Sequence, residues 1–250
     1  MHPARIAELL QPFLSKPCHS EPANAGEEPA VLSATQLQSI STYIDILLHW
    51  NARINLTAIR NEEEIVTRHF GESLFAARHL FPKVYPVSPV PPVVKAFDPA
   101  LDSAEAESRK PEARVADLGS GAGFPGIPIK IWDPDIALTL IESNQKKATF
   151  LREIARALTL TNINIQNTRA ETLPPSTFDV VTLRAVERLP QILPVAANLL
   201  ARQGRLALLI STNQLESTRS TLRTLTWADP IPIPQSQSRL LMIGQAEPII

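Results

Sequence analysis

The chain is poor in cysteine, has no surplus of either charge and lacks any long apolar run, and each shortage removes a class of protein. One cysteine in 250 residues, Cys18, excludes an internal disulfide and every zinc site built on several cysteines. A reducing compartment, the cytoplasm, is therefore the expected setting. The formal net charge is −1, from 24 Lys and Arg against 25 Asp and Glu, so the global basic surplus typical of nucleic-acid-binding proteins is missing. Any nucleic-acid site must then be a local patch. No apolar stretch approaches the roughly 20 residues of a membrane-spanning helix. The opening MHPARIAELLQPFL breaks up its apolar residues with polar ones, unlike the core of a signal peptide. What remains, 44% hydrophobic and 20% charged, is an ordinary globular composition, and the length suffices for one sizeable core.

Three regions follow along the chain. Residues 1–81 read as helical: 2–15, then 33–51 with Ser33 as N-cap and Leu37, Ile40, Ile44 and Leu47 at helical spacing, then EEEIVTRHFGESLFAARHL. In that last stretch Glu62, Glu63 and Glu64 suit a helix N-terminus, with Ile65, Phe70, Leu74 and Ala77 on its apolar side. Residues 82–113 form a Pro-rich insertion, expected to be exposed and extended because Pro86, Pro89, Pro91 and Pro92 are too dense for a central strand. From residue 114 to 250, strands alternate with helices. RVADLG, ALTLIE, NINIQN, FDVVTLRA and GRLALLI read as strands, and PGIPIKIW, NQKKATFLREIARAL and LPQILPVAANLLA as helices, with two more strands expected from Trp227 onward. The fold class is α/β, a Rossmann-like doubly wound sheet under an N-terminal helical cap, the whole forming one compact unit with a ligand crevice outside the carboxyl ends of its strands.

The first of those strands runs into GSGAGFPG, with Gly119, Gly121, Gly123 and Gly126 at the turn into a helix that Pro125 is suited to start. Glycine without a Cβ lets the backbone approach a ligand. Taken alone, the G-x-G-x-x-G spacing is a weak signal. Glu142 sharpens it by ending the next strand, where a carboxylate accepts hydrogen bonds from both hydroxyls of an adenosine ribose. Asp117, two residues before Gly119, gives D-x-G-x-G-x-G, which looks like the loop of class I methyltransferases. The alternatives are that Asp117 only caps the loop and that Glu142 is a solvated strand-end charge.

From LLHWNARINLTAIR and VTRHFGESL through VADLGSGAGFPGIPIKIW, TLIESNQKKATFLRE, NTRAE and FDVVTLRAV, roughly residues 40 to 210, the chain resembles the ribosomal RNA small-subunit methyltransferase G family, also called the glucose-inhibited division protein B family. The resemblance implies a class I S-adenosylmethionine-dependent methyltransferase that modifies N7 of a guanine in 16S rRNA, with 16S rRNA or the small ribosomal subunit as partner and a monomeric state. Carried over residue by residue, it implies that Gly119, Gly121, Phe124, Glu142, Ala170, Glu171 and Arg184 bind the cofactor. For Arg184 the alternative is a structural ion pair, for instance with Glu187. Trp50, Asn51, Arg53, Asn55, Arg68, His69, Glu72 and Ser73 match the N-terminal pattern, with Arg53, Asn55, Arg68 and His69 as candidate RNA contacts. Alternatively, Trp50 is core and the asparagines cap turns. Arg68 and Glu72 are spaced to pair on one helix face. No metal is expected, because His69 has no second ligand at a suitable spacing.

The chain departs from the family pattern in its long insertion and in having Ile210 and Ser211 where a lysine–glycine pair commonly ends the fifth strand. The N7 lone pair is free at neutral pH, so no catalytic base is expected. Glu72 is one conceivable stabiliser of the cationic product ring. The rival functions are methylation of another RNA site or of a small molecule, nicotinamide-dependent redox chemistry, and non-catalytic ribosome assembly.

Overall fold

The computed structural model describes residues 1–15, 31–83, 113–184 and 189–247. Most of the Pro-rich insertion, together with Cys18 and Glu187, lies outside them. The first helix, α1 (Pro3–Leu14), starts with Pro at its first position and the His2 ring accepting from the Ala4 amide. Helix α2 (Ala34–Asn51) begins in a capping box in which Ser33 and Gln36 satisfy each other's amides at 3.2 and 2.8 Å. The stretch expected as one helix over 62–80 is divided. A turn of α3 (Glu62–Glu64), capped by Asn61, passes into a π-helical segment, Ile65–Gly71, and then into α4 (Glu72–Leu80). Gly71 closes that segment against α1, where an added Cβ would lie 2.6 Å from the Phe13 ring.

The sheet follows: β1 (Arg114–Leu118), α5 (Gly126–Trp132), β2 (Ala137–Ile141), α6 (Gln145–Ala157), β3 (Ile163–Gln166), β4 (Phe178–Arg184) and α7 (Leu189–Leu199). Then come β5 (Leu200–Ser211), α8 (Leu215–Thr221), β6 (Leu225–Trp227), β7 (Ile231–Pro232) and β8 (Arg239–Ala246). Its order is β3-β2-β1-β4-β5-β8-β6, with β7 paired to β8. The first five strands run parallel, while β8 enters antiparallel to β5. The chain order reverses at β1, so the switch point lies between β1 and β4, and the carboxyl edge there is where a crevice is expected.

Three elements differ from expectation. The fifth strand starts at Leu200, four residues before GRLALLI, because Leu200 pairs with Phe178 ahead of a register shift. The C-terminal part contributes three strands where two were expected. It also contains α8, whose sequence LESTRST has too few apolar residues to show a helical face.

Alternation along the strands divides the core in two. Val115, Leu138, Leu140, Val180, Ala207 and Leu209 point to the face covered by the N-terminal helices, α5 and α6, where they join Ile6, Tyr43, Phe70, Leu74 and Trp132. Ala116, Leu118, Val181, Leu183, Leu206 and Leu208 face α7 and α8. Because the cap helices share the core of the first face, they are fixed against the carboxyl edge of the sheet. No helix among the described residues is long and apolar enough to cross a membrane.

Candidate functional site

The crevice is built first from β1 and the loop that leaves it. Asp117 is fully buried and faces α5, its Oδ2 accepting from the Gly126 amide at 3.2 Å and its Oδ1 from the Thr182 hydroxyl at 2.9 Å. Burial pushes its carboxyl up to about 7, against the opposing effect of these donors, Ser120 and the Arg184 charge. Asp117 thus ties the start of α5 to β1 and β4, the capping role left open above. The Gly119 and Ser120 amides donate to Ile141 O at 2.9 and 3.1 Å, bending the loop over the end of β2.

The glycines have different duties. Gly119 has φ +66°, and a Cβ there would meet nothing within 4 Å, so it leaves open room beside the cleft. A Cβ on Gly123 would run into the Tyr43 hydroxyl and lie 2.7 Å from Ile127 Cδ1, which makes that glycine a packing requirement.

A cleft of about 380 Å³ opens at these carboxyl ends and brings together Gly119, Glu142, Ala170 and Glu171. Glu142 follows β2 directly. Its Oε2 accepts from the Gly121 amide at 2.9 Å and its Oε1 from the Asn144 amide at 2.7 Å, so the carboxylate braces the loop and is not a freely solvated charge. Each oxygen keeps lone-pair capacity for a hydroxyl donor. Asn144 caps α6, and Asn167 holds the far side by donating to Glu142 O and Ser143 O. A short 3-10 turn, Ala170–Thr172, presents Ala170 and Glu171 to the cleft. An acceptor-only carboxylate beside a glycine that leaves open space suits an adenosine-type cofactor.

Sequence reasoning missed several lining residues: Ser143, Thr168 and Arg169 adjoin residues it named, whereas Gln191 and Ile192 come from α7 and carried no local signal. Gly121 is tied to the cleft through Glu142, but Phe124 and Arg184 are not among its lining residues.

Phe124 turns toward the cap. Its ring is parallel to Tyr43 with centroids 5.3 Å apart, stacks on His69 at 4.7 Å and meets the edge of Phe70 at 5.1 Å. Arg184, at the end of β4, donates through Nε and Nη2 to Glu72 Oε2 at 3.2 and 3.0 Å. Its Nη2 also reaches Arg68 O at 2.6 Å, and its Nη1 reaches His69 Nδ1 at 2.8 Å. Since a guanidinium only donates, His69 Nδ1 must accept, leaving Nε2–H to donate to the Thr57 hydroxyl at 2.8 Å. Burial, followed by the charges of Arg184, Arg68 and Arg239, lowers His69 to about 3, so the ring is neutral. Both its nitrogens are engaged inside the protein. Arg184 therefore makes a structural ion pair, with Glu72 as the partner.

Arg68 does pair with Glu72, at 3.4 Å, and Arg239 approaches the same Oε1 at 3.2 Å. With its side chain 2% exposed and three guanidinium groups around it, Glu72 has no free face for a product ring. Arg53 and Asn55 are exposed on the turn after α2. Asn51 is buried and holds that turn, accepting from the Leu56 and Thr57 amides and donating to Thr57 O, while Trp50 packs edge-on against Phe150. Ile210 is core, and Ser211 caps the turn that follows it.

A family model for rRNA small subunit methyltransferase G matches residues 36–84 and 99–229, the gap falling within the Pro-rich segment. Proteins named Ribosomal RNA small subunit methyltransferase G from Xylella fastidiosa and Halorhodospira halophila are 38% identical over 165 residues and 35% identical over 175 residues. The alignments cover 66% and 70% of this chain. They span 64% of the Xylella protein, just under two thirds of its length, and 69% of the Halorhodospira protein. With more than half of its residues matched by the family model, the chain belongs to the rRNA small subunit methyltransferase G family.

Proposed function

We propose that this protein transfers a methyl group from S-adenosylmethionine to N7 of a guanine in 16S rRNA, acting in the cytoplasm on the rRNA or the small ribosomal subunit. The observation that carries this reading is the cleft at the carboxyl ends of the parallel strands, where the open space at Gly119 adjoins the Glu142 carboxylate. The names of the relatives support an rRNA substrate.

In this reading Glu142 would receive the ribose hydroxyls, and Ala170 and Glu171 would line the same cofactor cleft. The backbone of Gly119 and Gly121 makes room for the amino-acid end. Phe124 and Arg184 act indirectly: Phe124 packs the loop against the cap, and Arg184 ties β4 to it. When bound, S-adenosylmethionine supplies a methyl group on a sulfonium, electrophilic enough to react with a neutral lone pair. Guanine N7 offers such a lone pair without losing a proton. The chain's work is then to orient the base, a contribution of several kcal/mol when the reacting atoms are held near attack distance.

The test is an rRNA substrate carrying 7-deazaguanine at the mapped target. It should bind, with a loss of about 0.5 to 1.5 kcal/mol if N7 accepts a hydrogen bond, and should take no methyl group. Methyl transfer to that nucleotide would reassign the acceptor atom. Comparing deproteinised rRNA with small subunits in the same assay identifies the form of the partner.

A further inference from the structure

Three guanidinium groups converge on Glu72, more than that carboxylate can neutralise. Arg184 ends β4, Arg239 opens β8 opposite Ser211 at the end of β5, and Arg68 comes from the π-helical segment. All three therefore meet at the carboxyl edge of the parallel strands, the edge that carries Gly119 and Glu142. His69 is neutral, so among the described residues the only other charge in contact is the half-exposed Glu64, 3.6 Å from Arg68. Among the described residues, three cations against two carboxylates leave one positive charge over.

The two outer arginines differ from the inner one. Every nitrogen of Arg184 has a hydrogen-bond partner. Arg68 and Arg239 approach Glu72 through Nε, at 3.4 and 3.2 Å and without hydrogen-bond geometry, and these two Nε atoms and Glu72 Oε1 are buried without a hydrogen-bond partner among the described residues. Their side chains are 43% and 21% exposed, and neither makes an Nη hydrogen bond among the described residues. An arginine steadied on one edge by a carboxylate keeps a fork of donors that fits the oxygens of a phosphate.

We infer that Arg68 and Arg239, held in place by Glu72, form a receptor for one backbone phosphodiester of the RNA substrate; this rests on the methyltransferase reading above. His69 bonds Arg184 and stacks on Phe124, so a phosphate seated there lies on the same scaffold as the cofactor loop. Arg239 is an RNA contact that no sequence motif marked.

The experiment measures binding of deproteinised 16S rRNA between about 50 and about 200 mM salt, with methyl transfer followed in parallel. The double variant Arg68→Ala with Arg239→Ala should reduce the slope of log affinity against log salt by roughly 0.7 to 0.9, the counterions released by one phosphate contact, and each single variant should lower it by part of that. Arg239→Lys should keep the slope while losing part of the affinity. Arg114→Ala removes the same charge from the opposite edge of the sheet and should leave the slope unchanged. Calorimetry with S-adenosylhomocysteine should give wild-type affinity for Arg239→Ala, and Arg68→Ala reads the same site through the more exposed side chain should Arg239→Ala fail to fold.

Unchanged slopes in both alanine variants, with methylation intact, would overturn the phosphate receptor alone. Loss of adenosylhomocysteine affinity with the slope retained would also overturn it, by making the cofactor's carboxylate the occupant. Slopes that fall as expected in a protein transferring no methyl group to 16S rRNA, whether deproteinised or within small subunits, would overturn the proposed activity and leave the receptor standing.

Discussion

Glu142 and Glu72 are both buried glutamates at the carboxyl edge of the sheet, yet their surroundings give them opposite roles. Glu142 is held by two backbone amides, neutral donors that fix its position without neutralising it, and it borders a cleft. Glu72 is surrounded by Arg68, Arg184 and Arg239 and borders none that lines the cofactor side. Burial alone therefore does not distinguish a ligand acceptor from a structural anchor. The type of partner does: amides leave a carboxylate available to hydroxyl groups, whereas guanidinium groups consume it.

The most severe way to break this contrast is to remove the anchor. Glu72→Ala leaves Arg184 buried with its main counter-charge gone, and stripping one partner from a buried ion pair costs about 3 to 5 kcal/mol. Urea unfolding should show that loss. A change under about 1 kcal/mol would mean that the arginines relax into water, as exposed pairs do.

Removing the other glutamate should act on binding. Glu142→Ala deletes a charged acceptor, so adenosylhomocysteine affinity should drop by about 1.5 to 3 kcal/mol, roughly 10-fold to 100-fold. Calorimetry giving wild-type affinity would place Glu142 among the loop braces only. Glu142→Gln, which keeps one carbonyl acceptor, should fall between the two.

The sequence revealed these two regions unequally. Around Glu142 the loop contacts are local: a strand, a glycine loop and a second strand followed directly by the glutamate, which meets the loop 21 residues away in the chain. Periodicity and spacing suffice there. Around Glu72 the partners lie 112 residues away at Arg184 and at the start of β8 in Arg239, and only the antiparallel pairing of β8 with β5 brings the latter in. The π-helical segment was equally hidden, since a change of hydrogen-bond register leaves the apolar positions Ile65, Phe70, Leu74 and Ala77 buried just as an α-helix would. Phe124 illustrates the limit from the other side. Its motif placed it in the cofactor loop, but its ring packs among Tyr43, His69 and Phe70, a contact that no reading of the loop alone contains.

Titration sharpens the contrast because the scaffold between the two glutamates contains two groups with opposite linkage. Asp117, pushed up to about 7 from 3.8, favours folding in its protonated form, so its contribution is complete below the ordinary value and lost as pH rises through about 7. His69, lowered from 6.5 to about 3, favours folding when neutral, so its contribution is complete above the ordinary value and lost as pH falls through about 3. Between about pH 4 and about pH 6.5 the two slopes offset each other. Asp117→Asn removes the falling one. Stability should then rise with pH more steeply than in the wild type, by at most about 1.4 kcal/mol per pH unit. Identical slopes in urea titrations across that window would mean that Asp117 is ionised throughout.

The smallest effect belongs to an ion pair with the same chemistry as Glu72 and its arginines but set in water. At the opposite edge of the sheet, Arg114 meets Asp179 through two side-chain hydrogen bonds, Nε to Oδ2 at 3.1 Å and Nη2 to Oδ1 at 2.9 Å. The side chains are 50% and 40% exposed, so solvent screens the attraction and both groups regain hydration when separated. The Arg114 amide also donates to Asp179 at 2.8 Å and would still do so after the side chain is removed. Arg114→Ala should therefore cost about 0.2 to 1 kcal/mol, and less as salt is raised, because exposed charges are screened beyond roughly 8 Å at physiological ionic strength. The Glu72→Ala loss should respond far less to salt, since Glu72 and Arg184, at the centre of that cluster, are buried. If the two losses proved equal in size and equally sensitive to salt, burial would not be what separates the anchor from a surface pair, and the contrast between the two edges of the sheet would fail.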